Sequence, residues 1–128
     1  MTYWYLDYEN ANSDTCLNAL LSQTRKGDTV IAFYSSATPD IRIKFLRRLD
    51  TKGVRFKTQP CLNGAKNAMD FQIVMDLAAN CVTTKTIAHR VVSKDYGYQV
   101  PLRAWRERGY DVGLCVPDEL TGAVTYPQ

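Results

Sequence analysis

Residues 3–34 are YWYLDYENANSDTCLNALLSQTRKGDTVIAFY, and they predict a strand, a helix and a second strand in that order. The aromatic-rich residues 3–8 are typical of a strand. An apolar helix follows, and either Ser13 or Asp14 can cap its start. Residues 29–34 then form a nearly continuous apolar run, which predicts the second strand.

The same alternation continues along the chain. Thr38 and Pro39 predict the cap and first position of a second helix. Later elements are predicted at 54–57 (strand), roughly 66–81 (helix), 87–93 (strand), 100–108 (helix) and 112–116 (strand). The order βαβαβαβαβ predicts an α/β fold with three α/β/α layers and a mainly parallel five-stranded sheet. In such sheets ligands bind beyond the carboxyl ends of the strands.

The length of 128 residues fits one domain, 1–128, with a turn-rich tail of uncertain structure at 116–128. Hydrophobic residues make up 45% of the chain and charged residues 23%, which excludes a disordered or collagen-like protein. No apolar run is long enough to span a bilayer, and the first residues lack the features of a signal peptide. The four cysteines are scattered without zinc-ligand spacing, so we expect reduced thiols in a cytoplasmic protein without a membrane partner.

Basic residues are concentrated between positions 42 and 57 of a chain with a net charge of +3. Three of them, Lys44, Arg47 and Arg48, have the i, i+3, i+4 spacing that places side chains on one helix face. Such a face attracts phosphate backbones. It is also typical of an ordinary solvated helix, and the sequence leaves both interpretations open.

Three aspartates are predicted to lie at converging ends of the elements. Asp7 and Asp95 each follow an apolar strand. Asp70 lies near the start of the third helix, on the face that also carries Val74 and Leu77. Because carboxylates are the ligands that Mg²⁺ and Mn²⁺ prefer, these acids indicate a site for a hard divalent cation. For each aspartate alone, a cap or turn role is the competing interpretation.

Several other chemistries are excluded. His89 is the only histidine and lies inside a strand, where a core position is expected rather than a catalytic one. The chain has no nucleophile elbow, P-loop or dinucleotide-binding glycine pattern. A phosphoacceptor receiver domain needs an aspartate after the third strand, and residues 57–60 are KTQP instead.

Three blocks of sequence, at 6–11 (LDYENA), 66–71 (KNAMDF) and 93–98 (SKDYGY), fall at the predicted element ends. In this order they resemble the motifs of PIN-like ribonucleases, especially the NYN branch, over roughly residues 3–116. The resemblance implies a sheet ordered 3-2-1-4-5. It also implies an endoribonuclease site beyond strands one and four that depends on Mg²⁺ or Mn²⁺ and leaves a 5′-phosphate and a 3′-hydroxyl.

The resemblance also implies roles for individual residues. Asp7, Asp70 and Asp95 match the metal-holding acids, and Asn10 matches the polar residue of the first motif. Many PIN-like nucleases have another aspartate where this chain has Gly97. Supporting roles near the acids are expected for Glu9, Asp76 and Ser93.

Two functions follow from this resemblance. The first is a metal-dependent endoribonuclease, with a toxin or defence role among those that the family suggests. The alternative is a catalytically weak PIN-like module that binds RNA or a protein partner, which Gly97 favours. RNA is the expected partner in both, and a homodimer or a regulatory protein remains open. The candidate RNA-binding residues are Lys66, Lys94 and Tyr96 near the acids, together with Lys44, Arg47 and Arg48.

Overall fold

The computed structural model describes residues 1–36, 40–61, 67–84 and 86–128. The strands are β1 Thr2–Asp7, β2 Thr29–Tyr34, β3 Arg55–Pro60, β4 Ala88–Val92, β5 Val112–Pro117 and β6 Val124–Thr125. The helices are α1 Asp14–Gln23, α2 Ile43–Thr51, α3 Ala68–Thr83 and α4 Gln99–Glu107, and a 3-10 turn spans Tyr96–Tyr98. The predicted alternation of strands and helices is confirmed.

Across the described residues, the strands form a six-stranded sheet in the order β3-β2-β1-β4-β5-β6. All neighbouring pairs from β3 to β5 are parallel, and β6 is antiparallel to β5. The order 3-2-1-4-5 is therefore confirmed, with one additional strand. Because Leu6 of β1 lies opposite Val92 of β4, the carboxyl ends of these two strands are neighbours.

Each face of the sheet is covered by two helices. On one face, side chains of α1 and α2 such as Leu17 and Leu49 pack against Leu6 and Ala32. On the other face, α3 and α4 contribute a second buried cluster that includes Tyr5, Phe33, Ile73, Leu77, Leu102 and Leu114. Burial on both faces explains why β2 has a nearly continuous apolar sequence.

The second helix begins later than the sequence predicts. Its predicted cap and first residue, Thr38 and Pro39, lie outside the described residues, and α2 itself begins at Ile43. The carbonyl of Asp40 accepts a hydrogen bond from the Tyr8 hydroxyl at 3.0 Å, where a helical carbonyl would accept from an amide. Residues 40–42 are described and are not helical, so the predicted start of this helix is too early by about one turn.

A buried aspartate joins the start of β1 to the turn before β2. Asp28 Oδ1 accepts from the Thr2 amide at 2.9 Å. Its Oδ2 accepts from the Trp4 indole at 3.0 Å and from the Arg25 amide at 2.9 Å. No local pattern in the sequence indicates that Asp28, directly before β2, is a buried acceptor.

The tail contains structure that the sequence analysis did not predict. Val116 lies opposite Thr125, and Pro117 lies opposite Val124, in a short antiparallel pairing. All four cysteines have free thiols, as expected. None of the helices within the described ranges is both long enough and apolar enough to cross a membrane.

Candidate functional site

The carboxyl end of β1 carries Asp7, whose side chain is fully buried. Three donors converge on its Oδ2 atom: Asn10 Nδ2 at 2.9 Å, Ser93 Oγ at 3.0 Å and Tyr98 Oη at 3.0 Å. Asn10 follows β1 and Ser93 follows β4, so the parallel pairing of these strands brings their side chains to the same point. The structure thus groups three of the predicted site residues.

The second carboxylate oxygen of Asp7 differs from the first in its hydrogen bonding. Oδ1 is buried and has no hydrogen-bond partner among the described residues. Burying a charged oxygen without a partner is costly. This oxygen is therefore the one that can accept a cation without losing an existing hydrogen bond.

Asp70 reaches the same region from the first turn of α3. It is half-buried, and its Oδ1 accepts from the Tyr98 hydroxyl at 2.9 Å, which fits the predicted inward orientation. Asn67, directly before the helix, has left-handed backbone with φ of 63°. Asparagine adopts this conformation more readily than most non-glycine residues, so it suits the turn that leads into α3.

The Tyr98 hydroxyl lies between the carboxylates of Asp7 and Asp70 and shares its single proton between them. Burial, with the two nearby carboxylates adding to it, raises the pKa of Tyr98 far above its usual value, so the phenol remains a donor. Partial burial also raises the pKa of Asp70. The Tyr98 hydrogen bond opposes this second shift, and the charges of Asp7 and Asp95 add to it. The site is thus short of positive charge.

Asp95 is exposed and caps the 3-10 turn. Its Oδ1 accepts from the Gly97 amide at 2.8 Å, and its own amide donates to Ser93 Oγ at 3.0 Å. A Cβ atom at position 97 would lie 3.0 Å from Asp95 Oδ1. Gly97 therefore permits this close contact, at the position where the resemblance would place another carboxylate.

Asp70 and Asp95 line a common cleft of about 560 Å³, with Phe71 and Pro101 among its apolar walls. Asp7 is buried and does not line this cleft. Within the described ranges, no group of three histidine, cysteine or acidic side chains is close enough to hold a metal ion. Asp7 and Asp70 are therefore connected through Tyr98, and Asp70 and Asp95 share the cleft, but among the described residues the three acids do not form one ligand group.

The two additional acids differ in position. Glu9 is exposed in the turn after β1. Asp76 lies further along α3 and accepts from Gln72 Nε2 at 2.9 Å. Among the described residues, neither Glu9 nor Asp76 has a hydrogen bond to Asp7 or Asp70. The supporting role predicted for these two acids therefore stays a prediction.

The three RNA-binding residues predicted near the acids differ in their surroundings. Lys66 lies outside the described residues. Lys94 forms an ion pair with Glu119 at 2.9 Å, so part of its charge is already neutralised. Tyr96 is 52% exposed and follows Asp95 directly, which leaves its ring accessible beside the cleft.

On α2, Lys44, Arg47 and Arg48 line one shallow groove with Lys52, which confirms that they share a face. Arg48 donates to Asn18 Oδ1 at 2.6 Å. Lys44 and Arg47 are exposed. Arg48 is exposed as well and its partner is neutral, so none of the three is in an ion pair among the described residues.

His89 is a core residue, as predicted. Its Nδ1 lies 2.8 Å from the Tyr5 hydroxyl, and its Nε2 lies 3.1 Å from Thr84 Oγ1. Burial lowers the pKa of His89, so its ring is neutral near pH 7. Nothing in the sequence indicates the contact of Tyr98 with both Asp7 and Asp70, because it depends on the folding of distant segments.

Asp70→Asn is expected to raise the melting temperature of the protein by a few degrees in EDTA at pH 7. Because the pKa of Asp70 is raised in the folded state, its charged form destabilises the fold, and this cost appears as the pH rises through and above the unfolded value of 3.8. Thermal melts from pH 4 to pH 7 should show the gain increasing with pH. Asp50→Asn, an exposed control, should melt like the wild type, and an equal gain in both variants would contradict the prediction.

Residues 1–114 match a family model described as PIN domain. Proteins with PIN domains are generally nucleases. The chain has no significant match among curated proteins or among solved structures. The family match covers most of the chain and agrees with the sheet order and with acids gathered beyond β1 and β4. The chain therefore belongs to the PIN domain family.

Proposed function

We propose that this chain is a cytoplasmic, metal-dependent endoribonuclease of the NYN branch, which cleaves RNA phosphodiesters at the cleft between α3 and the 3-10 turn. The observation that carries the proposal is the carboxylate of Asp7. Three donors fix its Oδ2, and its Oδ1 is buried without a partner. The large majority of buried side-chain oxygens in folded proteins have a hydrogen-bond partner, so this exception needs an explanation.

The donor set suits Mg²⁺ or Mn²⁺. The candidate ligands are carboxylate oxygens, which these hard cations prefer. Asp7 Oδ1 and Asp70 would hold the cation, and a divalent charge there would offset the burial and the neighbouring negative charges that raise the pKa of Asp70. Asp95, exposed on the cleft wall, would complete the set after a change of side-chain conformation.

When bound, a divalent cation would neutralise charge on the scissile phosphate and acidify the attacking water. The protein's own residues have distinct tasks around it. Asn10, Ser93 and Tyr98 orient Asp7 through its Oδ2 atom. Tyr96 offers an exposed ring on which an unpaired base can stack.

Cleavage of end-labelled RNA tests the proposal directly. Single-stranded and hairpin RNAs are incubated with the protein in Mn²⁺, in Mg²⁺ and in EDTA. We expect internal cleavage in the presence of either metal, none in EDTA, and products with a 5′-phosphate and a 3′-hydroxyl. Cleavage that persists in EDTA, or products with 2′,3′-cyclic phosphate ends, would refute the mechanism.

A second function, a catalytically weak module that binds RNA, is supported by two specific observations. Gly97 takes the place of an acid, and within the described ranges no three potential ligands are grouped for a metal ion. Calorimetric titration separates the two functions. RNA binding without Mn²⁺ binding at millimolar concentration favours the module, whereas Mn²⁺ binding favours the nuclease.

The basic groove on α2, lined by Lys44, Arg47 and Arg48, is proposed as a second contact for the RNA backbone. α2 follows β2, so its first residues lie toward the carboxyl edge of the sheet, where the acids also lie. An RNA strand that crosses this edge can contact both. The groove carries no sequence-reading feature, so its contribution would be to affinity.

Lys44→Glu combined with Arg47→Glu is expected to weaken RNA binding and to reduce its dependence on salt. If both residues contact phosphates, the slope of log affinity against log salt should fall by about 1.4, because each contact with a single strand contributes about 0.7. Fluorescence anisotropy at several salt concentrations measures this slope. Arg25→Glu with Lys26→Glu, in an exposed turn after α1, changes the net charge equally and should alter the slope less. Equal slopes for the two double variants would show that Lys44 and Arg47 do not contact the RNA backbone and are only solvated.

A further inference from the structure

The hydroxyl of Tyr98 lies within hydrogen-bond distance of one carboxylate on β1 and one carboxylate on α3. It lies 3.0 Å from Asp7 Oδ2 and 2.9 Å from Asp70 Oδ1. The ring is 3% exposed, so it is held by packing between α3 and α4. A hydroxyl fixed at this point sets the separation of the two carboxylates.

On both acids, the Tyr98 hydroxyl contacts only one of the two carboxylate oxygens. On Asp7, Tyr98 shares Oδ2 with Asn10 and Ser93, and Oδ1 receives no donor. On Asp70, the Tyr98 contact is to Oδ1. The Tyr98 hydroxyl therefore contacts one oxygen of each acid. It makes no contact with the other oxygen of either acid.

We propose that Tyr98 is a positioning residue, whose bridging hydroxyl orients Asp7 and Asp70 so that each presents its remaining oxygen to one divalent cation. The inference rests on the proposed function. In this proposal, the Tyr98 hydroxyl helps to organise the metal ligands at a site that has glycine instead of an acid at position 97. Partners that orient metal ligands in this way commonly change metal affinity by 10- to 100-fold when they are removed.

The primary test is Tyr98→Phe, which removes the hydroxyl and keeps the ring that packs in the core. Isothermal titration with Mn²⁺ should show affinity about 10- to 100-fold weaker than that of the wild type. Tyr126→Phe removes the hydroxyl of a tyrosine outside the site, which donates to Gln23 Oε1, and it should bind Mn²⁺ like the wild type. Circular dichroism in EDTA verifies that each variant is folded.

A second measurement separates bridging from general packing. In EDTA, Tyr98→Phe should lower the melting temperature more in the wild type than in the Asp70→Asn background, because the hydroxyl then has one charged partner fewer. A purely packing role would give the same decrease in both backgrounds, and that result would overturn the proposal.

The outcomes distinguish this inference from the function on which it rests. If the wild type does not bind Mn²⁺, the proposed function fails and the inference fails with it. If the wild type binds Mn²⁺ and Tyr98→Phe binds equally well or more tightly, only the inference is overturned. Tighter binding would mean that the hydroxyl competes with the cation for the carboxylates.

Discussion

Asp7→Asn is expected to lower metal-dependent RNA cleavage by about 1,000-fold, which corresponds to roughly 4 kcal/mol of transition-state stabilisation. The substitution keeps the size of the side chain and an oxygen that can accept from Asn10 and Ser93. It removes the negative charge and replaces one buried oxygen with an amide group that cannot bind a cation. Single-turnover cleavage rates at saturating Mn²⁺ measure the effect.

Asp50→Asn is the matched control, because Asp50 is exposed on α2 and outside the site. Its cleavage rate should equal that of the wild type. Thermal melting should show that Asp7→Asn remains folded. A rate for Asp7→Asn within tenfold of the wild-type rate would remove Asp7 from the catalytic machinery and refute the proposed mechanism.

Asp28→Ala is expected to lower the free energy of unfolding by about 3–5 kcal/mol. The two oxygens of Asp28 accept from the Thr2 amide, the Trp4 indole and the Arg25 amide. Alanine leaves all three donors without this acceptor. With an m-value of about 2 kcal/mol/M, the urea midpoint should fall by roughly 1.5–2.5 M.

Asp28→Asn and Asp50→Ala complete this stability experiment. Asparagine keeps one accepting oxygen, so Asp28→Asn should lie between the wild type and Asp28→Ala. Asp50→Ala changes an exposed residue and should shift the stability by at most about 0.5 kcal/mol. A loss below 1 kcal/mol for Asp28→Ala would show that water replaces the carboxylate at this position.

The sheet was predictable because its signals are local and repeated. Apolar strands alternate with helices from β1 to β5, and this alternation alone favours parallel pairing. The strand order, in contrast, followed from the family resemblance. The strand Val124–Thr125 was missed because two residues are too few to show an alternating pattern, and its stability comes from pairing with β5.

The start of α2 shows where local signals fail. Thr38 and Pro39 have the chemistry of a helix start, yet α2 begins at Ile43. The competing contact is the hydrogen bond from Tyr8 to the Asp40 carbonyl, between residues 32 positions apart. No local pattern can predict such a contact.

The candidate acids could be selected from the sequence, but the contacts between them could not. Asp7 and Asp95 were selected because each follows an apolar strand, and Asp70 because it lies on the apolar face of a helix near its start. Their role as metal ligands stays a prediction. Tyr98 has the same apolar spacing as a core residue, which it also is. Its hydroxyl acquires a role only because folding places two carboxylates from distant segments beside it.

The central position of β1 has a consequence for protein synthesis. β1 is made before both of its neighbours, and one of them, β4, is made about 80 residues later. At about 5–20 residues per second, several seconds of translation separate Asp7 from Ser93 and Tyr98. A nascent or truncated chain that ends before Ala88 lacks both of these donors to Asp7, so the site is assembled only after β4 and the 3-10 turn have been synthesised.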